Sequence, residues 1–147
     1  MKSLDLVIRY SLALVLTLFN SIFYTIFAPL TVYSTYYILK IFTNPTLAQT
    51  TIAFNSHSFT IIPACTAALA YLMLTLLILL TRNIKLQKRI KMILIAFISI
   101  LTLNIVRILT LMLIYNNFGE AAFDTVHLLF WHLLSTVFVV LIWLALT

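Results

Sequence analysis

Apolar runs separated by short polar stretches cover most of the chain. About 20 apolar residues span the hydrocarbon core of a bilayer, and four runs approach or exceed that length. These runs are residues 6–28, 63–80, 92–115 and 122–146. Pro29 closes the first run, and the aromatic segment 30–43 that follows is too short to cross, so it predicts an interfacial helix or a kinked continuation past Pro29. We therefore predict an all-α membrane protein with about four transmembrane helices, forming a single transmembrane domain over residues 1–147.

The longest polar segment, residues 44–62, has a different pattern. Within it, the turn-forming residues 55–58 lie between the strand-like segments 46–54 and 59–62. This arrangement predicts a small β-hairpin. A loop that orders itself beside a membrane site often binds or covers a substrate.

The composition excludes a water-soluble fold, because 64% of the 147 residues are hydrophobic and only 8% are charged. Such a chain cannot bury its apolar side chains in a water-soluble core. The first apolar run is too long for a cleaved signal peptide, and no small-residue cleavage site follows it, so we expect it to be retained.

Most of the net charge of +6 lies in one loop, residues 81–91, which has five cations and no anion. The cations are Arg82, Lys85, Lys88, Arg89 and Lys91. Because basic loops stay in the cytoplasm, this loop and both termini are predicted to be cytoplasmic. The hairpin and the loop 116–121, which contains the only glycine, Gly119, then face the extracytoplasmic side. Since topology accounts for the charge, the sequence does not indicate a nucleic-acid partner.

Three residues are unusual in apolar spans, namely Cys65, Arg107 and His127. Each lies within roughly 12 Å of the predicted outer end of a different span, at about 1.5 Å per residue. Helix tilt and the long arginine side chain can absorb the differences in depth. A thiol, a guanidinium and an imidazole that meet at one membrane face are the parts of a cysteine-nucleophile transferase or peptidase.

The lone cysteine excludes an internal disulfide and a cysteine-based metal site, and we predict neither a metal nor a cofactor. Proline is favoured at the first position of a helix, so Pro63 would place Cys65 in the first helical turn. Free backbone N–H groups and the helix dipole stabilise a thiolate there. Arginine within a span costs roughly 2.5 kcal/mol or more on insertion scales, so Arg107 has to face protein or water.

The surroundings of Arg107 leave two interpretations open. Asn104, one helical turn earlier, is predicted to hold or solvate the guanidinium. Alternatively, Arg107 forms a structural ion pair with Asp124 or Glu120 at the outer surface. A rival class is a small non-enzymatic membrane protein, such as a transporter or assembly subunit, in which Arg107 neutralises an acidic residue of a partner. The apolar inner halves of the spans favour a site at one face over a conduit.

Two histidines on the last span, His127 and His132, are candidates for the acid or base. They lie five positions apart, and therefore on different faces of a helix, and His127 is closer to the expected depth of Cys65. We favour His127 for this reason. Asp124, one turn earlier, either orients the His127 ring or reaches water.

Three segments that carry these residues resemble the exosortase and archaeosortase family, in order and on the same outer side. They are PACTAA at 63–68, NIVRI at 104–108 and FDTVH at 123–127. The chain resembles a compact archaeosortase in particular. This resemblance implies a multi-pass transpeptidase of the cell membrane with an extracytoplasmic active site. It also implies cleavage of C-terminal sorting signals on secreted, membrane-anchored proteins, followed by transfer of the new C-terminus to an acceptor, often a lipid. By resemblance, Cys65, Arg107 and His127 take the catalytic positions.

The motifs depart from the family's pattern at two places. Bacterial members usually carry Cys-Ser-Gly at the nucleophile, whereas Thr66 and Ala67 follow Cys65 here. Trp131 replaces a glycine that is often found four residues after the histidine, and some archaeal members have arginine in place of that histidine. A cysteine protease that hydrolyses its substrate fits the same residues, because transfer and hydrolysis differ only in the nucleophile that reaches the thioester.

Overall fold

The computed structural model describes residues 2–82 and 84–147. This part of the chain is mostly helical, with a small sheet between the second and third helices. The α-helices are α1 (Lys2–Leu18), α2 (Ser21–Phe42), α3 (Ala68–Leu80), α4 (Leu86–Phe118), α5 (Glu120–His132) and α6 (Val139–Leu146). The strands are β1 (Thr46–Ala48), β2 (Thr51–Phe54) and β3 (His57–Thr60). A π-helical segment, Leu133–Phe138, joins α5 to α6.

Three of the described helical stretches are long and apolar enough to cross a membrane, namely α2, α4 and Glu120–Leu146. They support the prediction of a helical membrane protein. The predicted span 63–80 does not form one helix, because a 3₁₀ turn, Pro63–Thr66, precedes α3. The 13 residues of α3 extend only about 20 Å, less than the roughly 30 Å of the hydrocarbon core. The number of crossings and the orientation of the termini stay predictions.

The N-terminal helices divide differently from the sequence prediction. The predicted break at Pro29 is wrong, because α1 already ends at Leu18 and α2 contains Pro29. Of the two alternatives for residues 30–43, the structure has the continuation past the proline. Proline lacks an N–H and crowds the carbonyl four residues earlier, but neighbouring helices in a packed membrane bundle can compensate. The junction lies at Asn20, whose carbonyl accepts a 3.2 Å hydrogen bond from the N–H of Phe23.

The polar segment before Cys65 folds into a three-stranded antiparallel sheet with the order β1–β2–β3, so the predicted two-stranded hairpin is wrong in strand number. The turn between β2 and β3 consists of Asn55 and Ser56 alone, both with positive φ, and His57 begins β3. Two-residue turns with positive φ at both positions match the right-handed twist of the strands, and asparagine adopts such a φ readily. The predicted turn 55–58 is therefore two residues too long.

Gly119 alone connects α4 to α5, so the predicted loop 116–121 is wrong in length. Gly119 has a φ of +81°, which favours glycine, and its N–H donates a 3.0 Å hydrogen bond to the carbonyl of Tyr115. After this turn, α5 packs against α4. Arg107 lies roughly 18 Å before Gly119 and His127 roughly 12 Å after it, at about 1.5 Å per residue. The tight turn therefore lets the two side chains approach each other.

Two apolar clusters hold these elements together. In the first, Phe27 stacks on Tyr71 with ring centroids 3.7 Å apart, and Phe97 meets both rings edge-on. This cluster joins α2, α3 and α4. The second cluster joins the sheet to α2 and α4, with Ile52 and Ile108 among its buried members. It fixes the sheet beside the C-terminal half of α4.

One cation of the basic loop has a structural role. Arg89 is 5% exposed, and its guanidinium donates a 2.9 Å hydrogen bond to the carbonyl of Thr81 at the end of α3. The indole N–H of Trp143 donates a 3.0 Å hydrogen bond to the Thr81 hydroxyl. These two contacts tie the connection between α3 and α4 to α6.

Candidate active site

Cys65 lies in the 3₁₀ turn that precedes α3, so its predicted position in the first turn of an α-helix is wrong. Its own N–H donates a 2.8 Å hydrogen bond to the carbonyl of Ile62. Ala67, with a φ of 55°, then adopts the left-handed conformation before α3 begins at Ala68. The sulfur therefore does not lie at the N-terminus of α3, and the side chains around the 3₁₀ turn become the contacts that can stabilise a thiolate.

Two buried polar side chains of α4 hold the Cys65 turn. Asn104 Nδ2 donates a 2.8 Å hydrogen bond to the carbonyl oxygen of Cys65, and Arg107 Nη2 lies 3.5 Å from the same oxygen. Asn104 is 0% exposed and Arg107 is 3% exposed. Sequence reasoning expected Asn104 to hold the guanidinium. In the structure Asn104 instead fixes the backbone of Cys65, a contact between residues 39 positions apart.

The guanidinium of Arg107 also interacts electrostatically with the Cys65 side chain. No acidic side chain in the described part of the chain pairs with it, and Glu120 and Asp124 are both exposed. The alternative of an ion pair with Glu120 or Asp124 is therefore not found. Arg107 Nε is buried and has no hydrogen-bond partner among residues 2–82 and 84–147.

His127, on α5, is half-buried, and its ring centroid lies 5.5 Å from that of Phe123. Its ring is within electrostatic range of both Arg107 and Asp124. Asp124 is exposed, and within the described residues no hydrogen bond joins it to His127, so an orienting role has no support here. His132 is exposed, with Nδ1 2.9 Å from a carbonyl of its own helix.

A single cavity of about 270 Å³ brings the three predicted residues together. Cys65, Arg107 and His127 all line it, whereas His132 does not. The rest of the wall comes from β3, from Ile61 directly after it, from the C-terminal half of α4 and from Phe123 of α5. A potential nucleophile, a cation and an imidazole from three separate elements therefore face one space.

A second cavity of about 300 Å³ also borders Arg107. Small apolar side chains between residues 63 and 70 form much of its wall, and Trp131 and Tyr24 contribute to it. Of the described residues that line these two cavities, Arg107 belongs to both. A group bound in either cavity can therefore reach the same cation.

An aromatic wall that the sequence did not predict lies beside the site. The ring of Tyr115 meets those of His57, Phe59 and Phe123 edge-on, with centroids 5.2, 5.3 and 5.7 Å away. Tyr115 therefore links β3 to α4 and α5 at the cavity. The available signal was the position of Tyr115, at the end of an apolar run and four residues before Gly119.

The fold and the cavity define a small helical membrane protein with a cysteine, an arginine and a histidine around one space. The sequence model of the transmembrane exosortase family (Exosortase_EpsH) matches residues 2–147. The chain therefore belongs to the transmembrane exosortase family, as its motifs predict. Searches of curated proteins and of solved structures give no match.

Ala67 occupies the position of the glycine in the bacterial Cys-Ser-Gly motif, and its left-handed backbone accounts for glycine there. A non-glycine residue in this conformation costs roughly 1–2 kcal/mol. Glycine at this position would avoid that cost. Part of the gain is lost because glycine has more conformational freedom in the unfolded chain, so we expect Ala67→Gly to stabilise the protein by up to about 1 kcal/mol. Thermal unfolding of the purified protein in detergent measures the change.

Ala68→Gly is the matched control, because position 68 begins α3 and needs no left-handed backbone. This variant should lose up to about 1 kcal/mol, the ordinary cost of glycine in a helix. If Ala67→Gly were destabilised as much as Ala68→Gly, the strain assigned to Ala67 would be refuted.

Proposed function

We propose that the protein is a membrane-embedded cysteine transpeptidase. It cleaves the C-terminal sorting signals of secreted, membrane-anchored proteins and transfers the new C-terminus to an acceptor, a lipid. The observation that carries this proposal is the cavity lined together by Cys65, Arg107 and His127. Membership of the exosortase family supports a sorting transpeptidase in general.

Cys65 acts as the nucleophile after its thiol passes a proton to His127, which lines the same cavity. The sulfur attacks the scissile carbonyl, the C–N bond breaks, and a thioester joins the new C-terminus to Cys65. His127 gives its proton to the leaving amine and then takes a proton from the acceptor that attacks the thioester. This attack releases the thiolate and restores the imidazolium, so the cycle needs no further reactant.

Arg107 stabilises the negative charge that develops on the carbonyl oxygen or on the sulfur. Its contacts with the Cys65 side chain and carbonyl support this role. A charge contact beside the apolar wall of this cavity is stronger than the same contact in bulk water. Asn104 is a positioning residue, because its hydrogen bond to the Cys65 carbonyl fixes the turn that carries the sulfur.

The second cavity supports a lipid as the acceptor. Its wall is mostly apolar, as an acyl chain requires, and Arg107 lies where it can meet an anionic headgroup. An acceptor held there competes with water for the thioester. This competition separates a transpeptidase from a cysteine protease that merely hydrolyses its substrate.

We place the active site at the extracytoplasmic face of the cell membrane. Lys88 is exposed near the start of α4, and Arg107 follows it after roughly 28 Å of helix, at about 1.5 Å per residue. That distance is close to the roughly 30 Å thickness of the hydrocarbon core. Because basic loops stay in the cytoplasm, the cavity belongs to the opposite face.

Mass spectrometry of the C-termini of secreted proteins, from cells with and without this protein, tests the function. Transfer predicts shortened C-termini that carry the added mass of a lipid. Hydrolysis predicts shortened C-termini with a free carboxylate, which would support the protease and reject the transfer step. Identical C-termini in both cells would reject processing altogether.

The choice between the two histidines has its own test. We expect His127→Ala to lower processing by at least about 100-fold, because general acid and base catalysis contributes about 10²–10⁴. His132→Ala is the matched control on the same helix, and its exposed ring lies outside the cavity, so we expect less than about a twofold change. The cleaved fraction of a secreted substrate measures both. A larger loss in His132→Ala would reverse the assignment.

A further inference from the structure

β3 is an edge strand, because the sheet has the order β1–β2–β3 and β3 pairs with β2. In such a strand, backbone groups point alternately to the partner strand and to the open edge. The two-residue turn makes Phe54 and His57 a hydrogen-bonded pair, and Ile52 and Phe59 form the next one. The N–H of Ile61 continues this alternation with a 2.9 Å hydrogen bond to the carbonyl before β2.

Ser58 and Thr60 therefore direct their backbone N–H and C=O groups to the open edge. The 2.9 Å contact between the hydroxyls of Thr51 and Thr60 agrees with this register, because side chains lie closest in non-hydrogen-bonded pairs. Among residues 2–82 and 84–147, no backbone hydrogen bond outside the sheet engages Ser58 or Thr60. An edge with unpaired N–H and C=O groups is a template for another extended chain.

This open edge borders the cavity that Cys65 lines. Four consecutive residues, 58–61, belong to the cavity wall. Side chains alternate between the two faces of a strand, so a cavity over one face would be lined by every second residue. A cavity that contacts four residues in succession borders the edge of the strand itself.

From this geometry we propose that the substrate peptide binds as a fourth strand, paired with the open edge of β3 through the backbone groups of Ser58 and Thr60. This inference rests on the proposed function, because it describes how the proposed peptidase binds its substrate peptide. Strand addition of this kind gives affinity through main-chain hydrogen bonds, and pockets for alternate side chains give specificity. The added strand lies in the cavity of Cys65 and Arg107, so its carbonyl groups can reach both.

The cavity also predicts the side chains of the peptide. Ile108, Leu111 and Met112 form an apolar wall on α4, and the rings of Tyr115 and Phe123 continue it. Every second side chain of an added strand faces this wall. We therefore expect the bound segment to carry apolar side chains at alternate positions, ahead of the membrane tail that the sorting signal contains.

Ser58→Pro tests the open edge. Proline removes the N–H that faces the cavity but leaves the hydrogen bonds to β2, because Ser58 does not pair there, and edge strands tolerate such a proline. We expect processing to fall at least about tenfold, since one hydrogen bond and the close approach of the peptide are lost. Leu47→Pro is the control on the other edge, because Leu47 has the equivalent unpaired position on β1, outside the cavity. Leu47 also packs against the second apolar cluster, so the two variants are compared per molecule at equal abundance in the membrane. Leu47→Pro should retain processing within about twofold.

Synthetic peptides test the same pairing without altering the protein. The peptide spans a cleavage site found by the C-terminal mass spectrometry, and each version carries one N-methylated amide. Alternate amides of an added strand face β3, so we expect N-methylation to slow cleavage at least about tenfold at every second position and far less between them. The purified protein in detergent is the enzyme.

The outcomes separate the two proposals. If cleavage depends on Cys65 but Ser58→Pro cleaves like Leu47→Pro and the N-methyl series shows no alternation, strand addition is overturned and the peptidase stands. If Cys65→Ala cleaves the unmodified peptide normally, both proposals fail. An alternating series together with a specific loss in Ser58→Pro supports the fourth strand.

Discussion

Replacing Cys65 by alanine is expected to stop processing of the secreted substrate, with a loss of at least about 1,000-fold. The cavity then lacks its nucleophile, but the turn keeps its fold, because Asn104 binds the backbone carbonyl at this position and not the sulfur. Cys65→Ser keeps nearly the same volume and offers only a weak nucleophile, so it should be inactive as well. C-terminal mass spectrometry of the secreted substrate measures the loss.

Both variants need a check that they fold and reach the membrane. Their abundance in isolated membranes and their thermal unfolding in detergent should match those of the unchanged protein, because Cys65 is only half-buried and adds little to the core. A normal processing rate in either variant, at normal abundance, would exclude the covalent mechanism.

Arg107→Lys is the second large effect. We expect a loss of about 100-fold or more, comparable to the removal of one oxyanion donor. Lysine keeps the charge, but a compact ammonium cannot reproduce the planar fork that lies beside the Cys65 carbonyl, within electrostatic range of the Cys65 side chain. Processing by the variant, compared at equal membrane abundance, gives the size of the effect.

Arg82→Lys is the matched control for this substitution, because Arg82 is exposed and lies in the basic loop, away from the cavity. It should process the substrate normally. Near-normal activity in Arg107→Lys as well would mean that only the charge matters at this position. The specific role of the guanidinium fork would then be wrong.

The three residues of the site could be chosen from the sequence because each conflicts with its apolar surroundings. Arginine in a span is costly, and a lone cysteine beside a helix-starting proline is conspicuous. Their convergence could be anticipated because depth along a helix follows from residue number. The estimate that Arg107 and His127 lie at similar depth holds because the single-residue turn at Gly119 places α5 directly against α4.

The local geometry at Cys65 could not be predicted in the same way. Alanine favours a helix, so nothing at Ala67 indicates a left-handed residue that separates the 3₁₀ turn from α3. The hydrogen bond from Asn104 to Cys65 joins positions 39 residues apart, and such a contact depends on packing that no local pattern contains. The role of Asn104 therefore emerges only from the structure.

The remaining misses have similar causes. A break at Pro29 is a good rule for helices in water, but the packed helices around α2 tolerate the proline. The sequence predicted two strands where the sheet has three, because β1 has only three residues, too few for an alternating pattern. As a consequence, the open edge of β3 and its place in the cavity were invisible in the sequence.

A thioester at Cys65 is the most direct test of the account. Purified protein is incubated with a membrane-anchored peptide that spans the cleavage site, quenched in acid and digested, and the Cys65 peptide is analysed by mass spectrometry. The account predicts an added mass equal to the N-terminal part of the substrate less one water, which hydroxylamine removes. Cleavage of the peptide at the normal rate with no such adduct at Cys65 would contradict it.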